Sequence, residues 1–326
     1  MTYISARPMQ TREWEDICFP VQPLWLADLL PDYDIIATDR QKLVIGQLPG
    51  GRKTVYGIQS GDYTIIPNQA IREVVDELIG DYSLQIKHTT TGEFFICVIL
   101  PQETWVGPEK LHRSLILTNS YNGKTPFSIQ GQTLSSLLDD ASRPVQGSLH
   151  RAICQNGLIG WADPFPDVPT YRHWLGEALP EKASVRPARK VKGETLTTAA
   201  QTAVRKIHHS RITVAVFQDY LRTLLSEQLT TVPRLTNTVY EHFHETGLPG
   251  PEQELLRALP IPVQLAKQAQ ERLWLEESQL RSPASYWLLY NAVNHALFTA
   301  RSSLTLNDRY RLDERVFHQL AANAYS

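Results

Sequence analysis

The chain has 326 residues, 42% of them apolar and 20% charged, and a formal net charge of −2. Those totals describe a globular protein that can bury one large core or two ordinary ones; they exclude a disordered chain and any strong overall pull toward polyanions. Three scattered cysteines, Cys18, Cys97 and Cys154, make neither a disulfide framework nor a zinc pattern.

The N-terminus is charged throughout, unlike a secretory leader, and no later stretch approaches the ~20 apolar residues of a membrane span. A cytoplasmic protein is expected. Up to about residue 180, short apolar runs alternate with Gly, Pro and Asn turns. "KLVIGQL" and "KTVYGIQ" flank Pro49-Gly50-Gly51 and predict a hairpin, followed by a short strand at "DYTIIP". In "NQAIREVVDELIG", Ile71, Val74, Val75, Leu78 and Ile79 share one helical face, with Asn68 as the expected N-cap and Gly80 as the left-handed C-terminal residue. "YSLQIKH", "EFFICVIL" and "RSLILTNSY" restore the strand period, and Asn122-Gly123 suits a type I′ turn. The proline-rich stretch from Trp161 to Pro187 reads as a connector.

Beyond it the pattern is helical. Thr195 to about Leu229 contains no Pro or Gly and fits one long helix, or two with a break near His209-Ser210. Three or four more helices are expected, at about 234–246, 262–280, 284–300 and 308–323. The fold class is therefore α+β: a mostly antiparallel sheet with a packed helix in the N-terminal half, and an all-helical C-terminal half. The expected division is 1–180 and 181–326.

Several local patterns imitate chemistry. "GQLPGGRKT" has glycines at phosphate-loop spacing but lacks the Lys-Ser/Thr pair, and a strand follows it where a phosphate cradle needs a helix. His150 and Cys154 have the types of a base and a thiol nucleophile, yet free cysteine is ordinarily a core residue. His242 and His244 are two apart on a helix, which turns their rings about 200° from each other, away from the i, i+4 spacing of zinc ligands. No metal and no cofactor is expected.

One polar feature stands above background. Lys182, Arg186, Arg189, Lys190, Lys192, Arg205, Lys206 and Arg211 lie within thirty residues that hold only Glu194 in opposition. Cationic grooves follow phosphate backbones in this way, and Tyr56, Tyr63, Phe94 and Tyr121 in the sheet half are candidate stacking rings.

"LILTNSYNGKTPF" followed by "SLHRAICQNGLIGWA" resembles a phage- and plasmid-borne family, domain of unknown function 932. The resemblance rests on Asn119, Ser120, Tyr121 and Gly123, then on Arg151, Cys154, Asn156 and Gly157. "GIQSGDYTIIPNQAIREVVDEL" and "YWLLYNAVNHALF" are similar to an early and a late part of the same pattern. It implies mobile-element origin and supplies no reaction. Read as residues alone, Asn119 and Asn156 can satisfy buried backbone groups, and Arg151 can pair with an inward carboxylate such as Asp140.

The leading expectation is a non-enzymatic mobile-element protein that binds single-stranded DNA or RNA through Arg186, Arg189, Lys190, Lys192, Arg205, Lys206 and Arg211, in an annealing or recombination role. One rival is an enzyme with Asn119, Tyr121, Arg151, Cys154 and Asn156 around a pocket for nucleotide or nucleic acid. Another is a protein-interaction or anti-defence factor that docks through the C-terminal helices, where an exposed apolar patch would favour it. A second copy of the chain is a further candidate partner; a membrane is not.

Overall fold

The computed structural model of the chain describes residues 8–33, 41–48, 50–130, 132–133, 146–153, 156–178, 212–230, 234–300, 302 and 304–326. The fold is α+β, with antiparallel sheets in the N-terminal half and helices in the C-terminal half. In chain order come β1 (Pro8–Thr11), β2 (Val21–Trp25), α1 (Leu26–Leu29), β3 (Gln41–Gln47), β4 (Lys53–Ser60) and α2 (Asn68–Leu78). Then follow β5 (Ser83–Thr89), β6 (Glu93–Val106), β7 (Glu109–Ser120), β8 (Ser128–Ile129), β9 (Gln132–Thr133), β10 (Ser148–Arg151) and β11 (Asn156–Ile159). The remaining helices are α3 (Val168–Ala178), α4 (Val214–Thr230), α5 (Arg234–Glu245), α6 (Glu252–Ala258), α7 (Val263–Leu280), α8 (Tyr286–Thr299) and α9 (Leu306–Ala324).

The chain forms two compact units, and each draws on segments from both sides of residue 180. One takes Met1–Pro101, Ser114–Asp139 and Lys206–Thr231; the other takes Gln102–Arg113, Asp140–Arg205 and Val232–Ser326.

In the first unit β1, β5, β6 and β7 are neighbours in one sheet, β8 adds to β7, and β2, β3 and β4 make a separate antiparallel sheet. Phe94 to Val98 of β6 are buried without alternation, as expected of a strand covered on both faces. Ile71, Val74 and Val75 of α2 are fully buried, and α4 contributes Phe217, Leu221, Leu224 and Leu225 at helical spacing. The two helices are tied by Arg222 to Glu77 at 2.9 Å and by Gln218 to Glu73 at 2.8 Å. Phe19, Tyr56, Phe94 and Tyr121 form a ring cluster with centroids 4.8 to 6.5 Å apart. Gly92 turns the chain beside it at φ +82°, where a Cβ would stand 2.5 Å from the Tyr56 ring.

In the second unit β10 pairs with β11 and with the Leu111–Arg113 part of β7. Helix α8 is apolar nearly all round and buried from Tyr286 to Phe298 apart from His295, so it is a core helix. Ser285 caps its start and Thr305 with Asp308 makes a capping box on α9.

Several local expectations need correction. "DYTIIP" forms no strand. Pro67 occupies the cap position of α2 and Asn68 is its first helical residue, with its side chain committed to the core. Helix α2 ends through extended Ile79, and Gly80 has no positive φ. The Asn122-Gly123 stretch is no two-residue hairpin: β7 stops at Ser120, β8 begins at Ser128, and only Gly123 (φ +71°) is left-handed there. The supposed connector contains α3, because Pro169 falls in a first helical turn, where a missing N–H costs nothing. Residues 195–211 of the proposed long helix lie outside the described residues.

Candidate functional site

Asn119 and Tyr121 alternate along the end of β7 and its exit, so they project to one side, and both reach the start of α2. The Tyr121 hydroxyl accepts the Asn68 backbone N–H at 2.9 Å, which satisfies a helix N-terminus that Pro67 has no side chain to cap. The Asn119 amide donates to Asn68 Oδ1 at 2.8 Å and to the Ile66 carbonyl at 2.9 Å. Asn68 in turn donates to the Ile17 carbonyl at 3.1 Å. All three side chains are at most 3% exposed. Ser120 points the other way and bonds the Thr125 carbonyl and N–H, closing the loop that carries Gly123. Burial drives the Tyr121 phenol far above its ordinary pKa, so it stays protonated.

Arg151 is 1% exposed. Its guanidinium donates twice to Glu109, at 2.6 and 2.9 Å, and once to Glu276 at 2.6 Å. Arg272 joins from α7 with 2.7 Å to Glu276 and 2.6 Å to the Ile153 carbonyl. The Trp287 ring lies 5.4 Å from the guanidinium and its indole N–H donates to Glu109 at 2.8 Å. Two cations and two carboxylates thus cancel within the core of the second unit. The carboxylates are Glu109 and Glu276; Asp140 lies outside the described residues.

A third centre was not anticipated. Asp313 of α9 is 1% exposed and accepts from Trp161 Nε1 at 2.8 Å, Asn294 Nδ2 at 3.0 Å and the Tyr290 hydroxyl at 3.2 Å. Its neighbours are neutral, and burial outweighs these three donors, pushing the carboxyl up to about 6. Nearby, Tyr171 bonds His318 Nδ1 at 2.8 Å, and burial lowers that imidazole to about 3, so it is neutral. A signal existed for both acids. Asp313 shares its helical stripe with Tyr310, Val316, Phe317 and Leu320, and Glu276 with Leu265, Ala269 and Leu273; a carboxylate on an apolar stripe demands a buried partner.

The remaining sequence candidates fall out as follows. Asn156 opens β11 opposite Arg151, and Gly157 stands opposite His150. Cys154 and all seven basic residues from Arg186 to Arg211 lie outside the described residues. Phe94 and Tyr121 are 1% and 0% exposed, which withdraws them as stacking rings; Tyr56 and Tyr63 are half-buried. Exposed rings are instead Trp25, Tyr33, Trp105, Tyr220 and Trp274. His242 stacks on Tyr325 and bonds the Ala324 carbonyl. Among the described residues no three His, Cys, Asp or Glu side chains gather in a metal-holding group, and no helix is long and apolar enough to cross a membrane.

No protein-family model, curated protein or solved structure matches this chain.

Two substitutions test these assignments. Tyr121→Phe removes the acceptor of a buried helix N–H and is expected to destabilise by about 1–3 kcal/mol, read by denaturant unfolding. For Asp313 the folded pKa lies above the unfolded one, so its contribution is complete in acid and is lost as pH rises through about 6. The loss amounts to roughly 2 kcal/mol between pH 4 and pH 8. Asp313→Asn, which Asn294 can meet by turning its amide, is expected to flatten that part of the stability profile; an unchanged pH slope would exclude the assignment.

Proposed function

We propose that the protein binds single-stranded nucleic acid through Arg186, Arg189, Lys190, Lys192, Arg205, Lys206 and Arg211. The supporting observation is charge segregation. Residues 182–211 carry eight basic residues against one acidic, a formal +7, while the rest of the chain carries 24 basic against 33 acidic, a formal −9. Some of the basic surface elsewhere is already paired: Arg72 with Glu15 and Asp76, Arg222 with Glu77 and Asp219, and Lys110 with Glu103. A stretch this lopsided supplies the multiple phosphate contacts that counterion release rewards. The phage or plasmid setting, with a role in annealing or recombination, belongs to the same proposal and rests on the resemblance.

Buried side chains whose hydrogen bonds are met inside a core have no surface to offer a substrate, so we do not propose catalysis by Asn119, Tyr121 or Arg151.

The binding reading is tested by fluorescence anisotropy with a labelled oligonucleotide. Affinity is expected to fall with salt at about 0.7 log unit per log unit for each phosphate engaged. Arg189→Ala with Lys190→Ala and Lys192→Ala should reduce that slope by about 2. Absence of binding at ~50 mM salt, or a triple variant equal to the parent, refutes the proposal.

A second reading is favoured by one observation on α7. Val263 and Trp274, three turns apart on one side, are 74% and 51% exposed, and Leu275 beside them is 46% exposed. We propose self-association of the chain through this face. Sedimentation velocity is expected to show a concentration-dependent assembly that Trp274→Asp abolishes without altering the far-UV circular dichroism; a monomer at all concentrations counts against it.

A further inference from the structure

The three-stranded sheet has two outer edges, and they are finished differently. β2 carries Pro23 at its centre, which removes a ladder N–H and blunts that edge against a further strand. β4, at the other edge, is 8 residues long, has no proline and pairs only with β3. Outside that ladder, its one backbone bond among the described residues is at its exit turn, where Tyr63 N–H meets the Ser60 carbonyl at 3.0 Å. An antiparallel edge of this length presents unpaired N–H and C=O groups to an incoming strand.

The side chains select what can dock there. Leu24, Leu43 and Ile58 form one cross-strand row, and Gln22, Ile45 and Val55 form the next. Tyr56 is the extra residue of a bulge between those rows, so Val55 and Ile58 share a face although they are three apart. Both are 56% exposed. The opposite face is occupied: Tyr56 stacks on Phe19, and a Cβ on Gly57 would stand 3.6 Å from the Asn122 backbone. The strand is held from behind while its edge stays open. Arg52 and Lys53 stand exposed at one end of that edge and form no ion pair among the described residues. A lysine on an edge guards against strands that lack a counter-charge, and it attracts one that brings a carboxylate.

We propose that β4 accepts an extended segment of another protein as a fourth, antiparallel strand. The spacing of that segment follows from β3, which sets Leu43, Ile45 and Gln47 opposite Ile58, Val55 and Lys53. A strand meeting the same three residues from the far side needs the same period of two. Its pattern is aliphatic-x-aliphatic-x-acidic, with the carboxylate against Lys53 and Arg52. Main-chain bonds along the edge supply affinity, and the three side chains supply register and choice of partner. The surface is independent of the nucleic-acid reading and of self-association through α7, because it shares no residue with either.

The test is fluorescence anisotropy of the full chain with a labelled peptide in which threonine alternates with leucine, isoleucine and glutamate, in that order. Saturable binding is expected, together with slowed amide hydrogen exchange along β4. The same peptide N-methylated at alternate residues, which removes the donors that face the edge, should not bind. Lys53→Glu is expected to weaken the glutamate peptide by at least about threefold, the size of one cross-strand charge pair, and to favour a peptide with lysine in its place. Ile58→Thr, a change at an exposed strand position, should also weaken binding, and far-UV circular dichroism checks that both variants keep the fold. No saturation up to ~1 mM peptide, a methylated peptide that binds equally, or a Lys53→Glu variant with unchanged preference overturns the proposal.

Discussion

A guanidinium almost wholly withdrawn from water is tolerable only when its charge is met at close range. Arg151 is met by Glu109 from β7 and Glu276 from α7, with Trp287 of α8 against its face. Taking away one member of such a set leaves an uncompensated charge in the core, at a cost of about 3–5 kcal/mol. Four elements must therefore arrive together, with β10 in one register against β7 and with α7 and α8 each in one rotation. A purely apolar core of the same volume would bind these elements as firmly but would accept neighbouring registers more readily, since its contacts have no direction. The same bidentate geometry excludes a lysine at this position.

The first unit solves a similar problem without charge. Asn68, Asn119 and Tyr121 fix the start of α2 with amide and phenol groups, whose desolvation costs less than that of ions. Asp313 lies between the two solutions. It is a carboxylate attended by neutral donors only, and its raised pKa measures how incompletely an indole, an amide and a phenol replace a cation.

Much of the architecture was legible in the residues. The hairpin around Gly50-Gly51, the stripe on α2, and helices close to 234–246, 262–280, 284–300 and 308–323 follow from periodicity and from turn residues, which act locally. What escaped was partly local, at the ends of α2, the Asn122-Gly123 turn and α3, and otherwise tertiary. Nothing near Asn68 distinguishes a cap from a core amide until β7 is known to pass beside it. Tyr121 and Phe94 are as plausible on a surface as in a ring cluster while the partners Phe19 and Tyr56 are unplaced. The partners of Arg151 lie 42 and 125 residues away in sequence, beyond any local pattern. Only the misplaced polarity of Glu276 and Asp313 on their helices hinted at buried pairing, and that hint names no partner.

Helix α4 belongs to the first unit although it is synthesised long after the rest of it. The strands and α2 of that unit are made early, but the buried side chains of Phe217, Leu221 and Leu225 are supplied only after more than two hundred residues have been joined. Until then α2 and Phe127 wait without the helix that packs on them, a period in which a ribosome-bound chaperone would have something to hold. A fragment ending near residue 180 would keep that vulnerable surface permanently, which makes α4 the closing piece of a layer begun far upstream.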